Sequence, residues 1–210
     1  IYTRALLMRN LFTFFLFVSI GFSILSFADS SQKYVQISNQ KQTESDKIVI
    51  YEFFWYGCPH CYNLEPTMDE IEANLQKDTI VIKVPVALRD TWEPHAKAYY
   101  ALQQMKLDDN LHTKVFSEIH LNSNRLDTLE KLEEFVENEG YNSEKFTKIY
   151  NSFGTEIRVK KASRLANKYQ ITSVPTLIIN GKYKTSGSYV ASYDELYDVV
   201  QLLVEKERLN

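Results

Sequence analysis

The sequence predicts an α/β fold in which a small sheet carries one chemically loaded helix and a long helical segment interrupts the strands. Three observations predict it. The run Ile48 to Tyr56 (IVIYEFFWY), β-branched and aromatic with one charge, has the character of a buried strand and leads directly to the only two cysteines, Cys58 and Cys61. From Thr91 to about Tyr169 the apolar residues are spaced as in helices. The chain then returns to a hairpin pattern around Asn180-Gly181 and closes on another helix.

Taken in order, Asp29 to Lys47 is polar, with Tyr34 to Ser38 as a candidate edge strand before the central one. After the cysteines, Leu64, Met68, Ile71 and Leu75 fall on one helical face, so Cys58-Pro59-His60-Cys61 occupies the first turn of a helix leaving a strand. Pro66 lies inside that pattern, where it would remove a backbone bond and kink the helix. Thr79 to Leu88 reads as a second buried strand, next to the first if the connection is a right-handed βαβ unit.

Helices are expected near 93–105, 110–120, 128–138, 143–152 and 155–169. Asp127 with Glu130 resembles a capping box, and Gly140 fits a helix stop. Strands at Thr176–Ile179 and Lys182–Thr185 flank Asn180-Gly181, the signal for a type I′ turn. Ser192 with Glu195 opens the last helix, with Leu196, Val199, Val200 and Leu203 facing inward.

A chain of 210 residues with a net charge of −3 has ample material for a core and no basic excess that would favour nucleic acid or an anionic membrane. Residues 1–28 read as a cleaved secretory signal: Arg4 and Arg9, an apolar stretch from Leu11 to Leu25, and Ser26-Phe27-Ala28 as the cleavage site. An uncleaved membrane anchor is the competing reading, although the apolar stretch is short of the ~20 residues that a spanning helix needs. Cleavage after Ala28 would leave 22 basic and 27 acidic residues, a net charge of −5. Export sets the redox context, because disulfides persist outside the cytosol.

The cysteine pair suits thiol chemistry. A helix N-terminus offers unpaired N–H groups and the positive end of the dipole, which favour a thiolate at Cys58, and protonated His60 would add to this. Pro59 fits the first helical turn. Cys58 is expected to be the attacked sulfur and Cys61, one turn inward, the resolving one. An inert structural disulfide gains little from so short a loop. Half of a zinc site would need further ligands, and His95, His112 and His120 are not suitably spaced for them.

The order of elements resembles the thioredoxin fold. The Pro-His dipeptide, the Ser173-Val174-Pro175-Thr176 segment and the 114 positions between Cys61 and Pro175 make the sequence look like a DsbA-type thiol–disulfide oxidoreductase, with a helical domain inserted into thioredoxin. The resemblance implies a thioredoxin-like domain at 29–90 and 156–210, a helical insertion at 91–155, and a cis Val174–Pro175 bond beside the sulfurs. It implies that Val174, Pro175 and Thr176, with Trp55 and Tyr56, meet an extended substrate. It also implies that Glu52 and Lys83, each the lone charge in an apolar strand, form a pair beneath Cys61 that assists its proton transfer; a purely structural pair is the alternative, and Trp55 and Tyr56 could equally be core.

What the resemblance implies for function is oxidation of reduced exported proteins in the periplasm by a monomer. Thiol exchange itself requires no metal or organic cofactor, and reoxidation would fall to a quinone-linked membrane protein of the DsbB type. Two alternatives differ: an isomerase or reductase kept reduced, and a non-catalytic peptide-binding chaperone of the same fold.

Overall fold

A computed structural model describes residues 32–37, 45–106 and 110–209. The signal reading at 1–28 lies outside them. Five strands form one sheet in the order β1-β5-β4-β2-β3: β1 (Val35–Gln36), β2 (Ile48–Phe54), β3 (Thr79–Pro85), β4 (Thr176–Ile179) and β5 (Tyr183–Thr185). β2 and β3 are parallel, with Ile48 opposite Thr79 and Glu52 opposite Lys83, whereas β4 runs antiparallel to both β2 and β5. The edge strand expected at Tyr34–Ser38 is the two-residue β1, paired with β5.

Seven helices complete the described chain: α1 (Pro59–Ala73), α2 (Glu93–Met105), α3 (Asn110–His120), α4 (Leu129–Asn138), α5 (Ser143–Tyr150), α6 (Phe153–Lys168) and α7 (Tyr193–Arg208). Four of their starts, at α4 to α7, carry side-chain caps. Asn142, Ser152 and Ser192 accept from the backbone N–H three residues on, satisfying donors that a helix start leaves orphaned. At α4 the cap is Thr128 rather than Asp127, whose carboxylate is taken by Lys131 and Arg125. α1 continues through Pro66 as one helix. Positive φ at Asn180 and Gly181 closes the β4–β5 hairpin as the type I′ signal required.

Alternation along β2 sends its side chains to different layers. Ile50 packs with Leu64 and Met68 of α1 and Leu196, Val200 and Leu203 of α7 on one face. Phe53 packs with Ala162 and Ala166 of α6 on the other. Phe54 and Tyr56, at the strand's C-terminal end, join a third cluster with α2–α5 that also contains both cysteines. The helical segment therefore packs directly against the end of the strand that delivers the sulfurs.

Candidate active site

β2 ends at Phe54, and the backbone turns through Trp55, Tyr56 and Gly57 before α1 begins. The N–H of Cys58 donates to the carbonyl of Trp55 at 2.9 Å, closing that turn. Cys58 is the N-cap residue of α1, with Pro59 at the first helical position, where a missing N–H costs nothing. Both cysteines carry free thiols. Cys58 is 8 % exposed and Cys61 is fully buried.

The two sulfurs are electrostatically opposite. The Cys61 side chain hydrogen-bonds the Cys58 thiolate, and the backbone N–H groups of Cys61 and His60 together with the His60 charge add to it; against the cost of burial, these hold the Cys58 pKa down to about 6. Burial pushes Cys61 far in the other direction, and the neighbouring Cys58 adds to the rise.

Val174–Pro175 is a cis peptide bond, and the Val174 carbonyl lies 3.5 Å from the Cys58 sulfur, which donates to it when protonated. Next to this contact is a hollow of about 570 Å3 lined by His60, Val174, Pro175, Gly187 and Tyr193 among others. Tyr193, at the start of α7, donates its hydroxyl to the His60 carbonyl at 3.0 Å and so ties that helix to the redox turn.

Trp55 is half-buried and stacks on Trp92, with ring centroids 4.1 Å apart and planes 5° from parallel. Two residues expected on the substrate-facing surface are inside instead. Tyr56 is 1 % exposed, held in the helical cluster by Phe54, Phe116 and a hydroxyl contact to His112 of 2.7 Å. Thr176 is 4 % exposed, because it pairs with Phe53 in the sheet and donates its hydroxyl to the Ser173 carbonyl.

Glu52, whose charge bears on Cys61, is fully buried, and neither of its oxygens has a hydrogen-bond partner among the described residues. Burial raises its pKa to about 8, against the pull of Lys83, 4.0 Å away. Lys83 also donates to Glu65 at 3.0 Å and lies 3.8 Å from Glu72. Sequence reasoning paired Glu52 with Lys83 but missed Glu65 and His112. Glu65 follows Cys61 by one helical turn, on the apolar stripe of α1, and that was the available signal. Among the described residues, no group of three or more His, Cys, Asp or Glu is placed to hold a metal ion.

A thioredoxin family model matches residues 43–198. The thiol:disulfide interchange protein DsbA of Pseudomonas aeruginosa is 34 % identical over 206 residues, which cover 96 % of this chain and 98 % of that protein. DsbA of Azotobacter vinelandii is 33 % identical over 84 % of this chain and 83 % of its own length. Among solved structures, P. aeruginosa DsbA superposes with a TM-score of 0.80 at 35 % identity, covering 84 % of this chain and 93 % of that one. The oxidoreductase DsbA of Xylella fastidiosa gives 0.77 at 27 % identity, covering 85 % and 96 %. A strand that delivers two electrostatically opposed thiols to a helix start, in a chain similar to these proteins over nearly its whole length, leaves one assignment: the chain belongs to the DsbA family of thioredoxin-fold thiol:disulfide oxidoreductases, which introduce disulfide bonds.

Proposed function

We propose that this chain oxidises reduced polypeptides outside the cytosol, with Cys58 as the attacked sulfur and Cys61 as the resolving one. The observation that carries this reading is the asymmetry of the pair: a partly accessible thiol held down to about 6 beside a fully buried one whose ionisation is suppressed. A substrate thiolate attacks the Cys58 sulfur of the oxidised pair. The Cys58–Cys61 bond breaks, and its electrons leave on Cys61. In that buried site the Cys61 thiolate takes a proton from Glu52, which is neutral near pH 7. A second substrate thiolate then attacks the substrate's own sulfur in the mixed disulfide, and Cys58 departs as a thiolate. The substrate has lost two electrons, the enzyme has gained them, and Glu52 regains a proton from solvent.

The low proton affinity of Cys58 makes it a good leaving group and stabilises the reduced enzyme, which is what an oxidant needs. His60 and Pro59 shape the helix start that supports this. The Val174 carbonyl, Pro175 and the stacked Trp55 border the sulfur and are the groups that an extended substrate would meet. By family resemblance, reoxidation falls to a quinone-linked membrane protein of the DsbB type, and the leader-like sequence of residues 1–28 supports a periplasmic setting. The thioredoxin-like parts would be 29–90 and 156–210, with 91–155 as the helical insertion.

The test is the equilibrium of the Cys58–Cys61 pair against reduced and oxidised glutathione. An oxidase is converted to its dithiol by a small fraction of reduced glutathione. A pair that stays oxidised until reduced glutathione is in large excess would instead be reducing, and the oxidase reading would fail.

A further inference from the structure

α3 brings a histidine to the buried cluster of Glu52, Glu65 and Lys83. His112 Nδ1 lies 2.7 Å from the Tyr56 hydroxyl, and Nε2 lies 3.2 Å from Glu65 Oε2, within ion-pair distance but without the alignment of a hydrogen bond. Burial holds the Tyr56 proton on its oxygen, so Tyr56 donates to Nδ1, and the imidazole proton sits on Nε2, the nitrogen on the Glu65 side. The same Glu65 oxygen accepts from Lys83, which stands between Glu65 at 3.0 Å and Glu52 at 4.0 Å. One ammonium is thus shared unequally by two buried carboxylates, and the one it favours is the one that His112 also touches. The cluster borders a groove of about 540 Å3 lined by Tyr56, Asp69, Glu72, Lys83, Tyr99 and His112.

We propose that His112 is a positioning residue for the exchange reaction: by holding Glu65 from the groove side, it sets how far Lys83 is drawn away from Glu52, the acid that serves Cys61. This rests on the reading of Glu52 as that acid. The groups facing His112 are Glu65 and Asp69 from α1, Lys83 from β3, Tyr56 from the redox turn and Tyr99 from α2, while Glu72 acts through Lys83. Burial lowers the His112 pKa; Glu65 and Asp69 oppose this, and Lys83 reinforces it. Lys83 already satisfies Glu65, so the neutral imidazole with Tyr56 on Nδ1 prevails. The Nε2–H dipole, 3.2 Å from Glu65 though not aligned as a hydrogen bond, relieves Lys83 of part of Glu65. Without it, Glu65 must draw Lys83 closer, and Glu52 loses its nearest cation.

Two variants separate position from mere packing. His112→Gln keeps an acceptor for Tyr56 and an N–H dipole near Glu65. His112→Phe keeps the ring, among Phe54 and Phe116, and removes both. The Glu52 carboxyl is followed by carbon NMR of the reduced protein against pH, alongside the pH profile of peptide oxidation. The Phe variant is expected to raise the Glu52 midpoint by about one unit, the lower end of a neighbouring-charge effect, and the Gln variant to restore it. Equal midpoints in wild type and both variants, or equal shifts in both variants, overturn the proposal. Glu65→Gln provides a second check that does not depend on the Phe variant folding: it must lower the Glu52 midpoint by freeing Lys83, and an unchanged midpoint overturns the proposal as well. If the midpoint moves as stated while the oxidation profile stays put, the positioning stands and the assignment of Glu52 as the acid fails.

Discussion

Lys83 stands directly opposite Glu52 in the parallel β2–β3 register, yet its ammonium lies nearer to Glu65, 3.0 Å against 4.0 Å. Glu52 is therefore a buried carboxyl with an incomplete counter-charge, and it holds its proton up to about pH 8. A carboxyl whose folded pKa exceeds its unfolded value contributes stability that is complete below about 4.5 and is lost as pH rises through about 8. Glu52→Gln removes that dependence. Denaturant unfolding of the reduced proteins should show the variant gaining on wild type between pH 5 and pH 9, by on the order of a few kcal/mol. A constant difference across that range would mean that Glu52 is ionised in the fold.

How much of this site was legible in the sequence depends on whether its causes are local. The cysteine turn, the hairpin and the helix starts at Asn142, Ser152 and Ser192 are set by neighbours a few residues away, so pattern and capping chemistry located them closely. Glu52 and Lys83 stood out as charges in apolar strands. His112 did not, because its contacts with Tyr56 and Glu65 arise only when α3 folds back over the redox turn, across 56 residues in the case of Tyr56. The same return explains Tyr56: an aromatic next to a reactive turn reads as surface until helices cover it.

The Cys58 thiolate should appear with a midpoint near pH 6, followed by its ultraviolet absorbance in the reduced protein. The leading cause is the Cys61 hydrogen bond, with the His60 charge contributing least. Cys61→Ala is therefore expected to raise the midpoint more than His60→Ala, by about one unit. The reverse ranking would make the His60 charge the dominant influence.

Accessibility divides the roles of the two sulfurs, 8 % exposure at Cys58 against none at Cys61. Cys58→Ser should lose all oxidation of a two-cysteine peptide. Cys61→Ser, loaded at Cys58 as its glutathione mixed disulfide and given excess one-cysteine peptide, should release glutathione and accumulate a covalent complex with the peptide, because neither enzyme nor peptide then holds a second thiol to break that bond. Mass spectrometry of the quenched mixtures distinguishes the two, and a complex formed by Cys58→Ser instead would invert the assignment.

Gly57 is held by a constraint that reaches the sulfurs. A Cβ at this position would lie 2.3 Å from Cζ2 of Trp55, far inside contact distance. The indole cannot simply swing away, since it stacks on Trp92 at 4.1 Å. Nor can the backbone give freely, because the Trp55 carbonyl accepts the Cys58 N–H that opens α1. Gly57→Ala should therefore cost about 1–3 kcal/mol, the range for overpacking a filled site, and should slow peptide oxidation by displacing Cys58. Combining it with Trp92→Ala gives the ring room to move. If the stack is the constraint, the double variant will be less destabilised than the sum of the singles, read from denaturant midpoints in a double-mutant cycle. Strict additivity would place the obstruction in the redox turn itself and leave the Trp55–Trp92 stack without a part in holding Cys58.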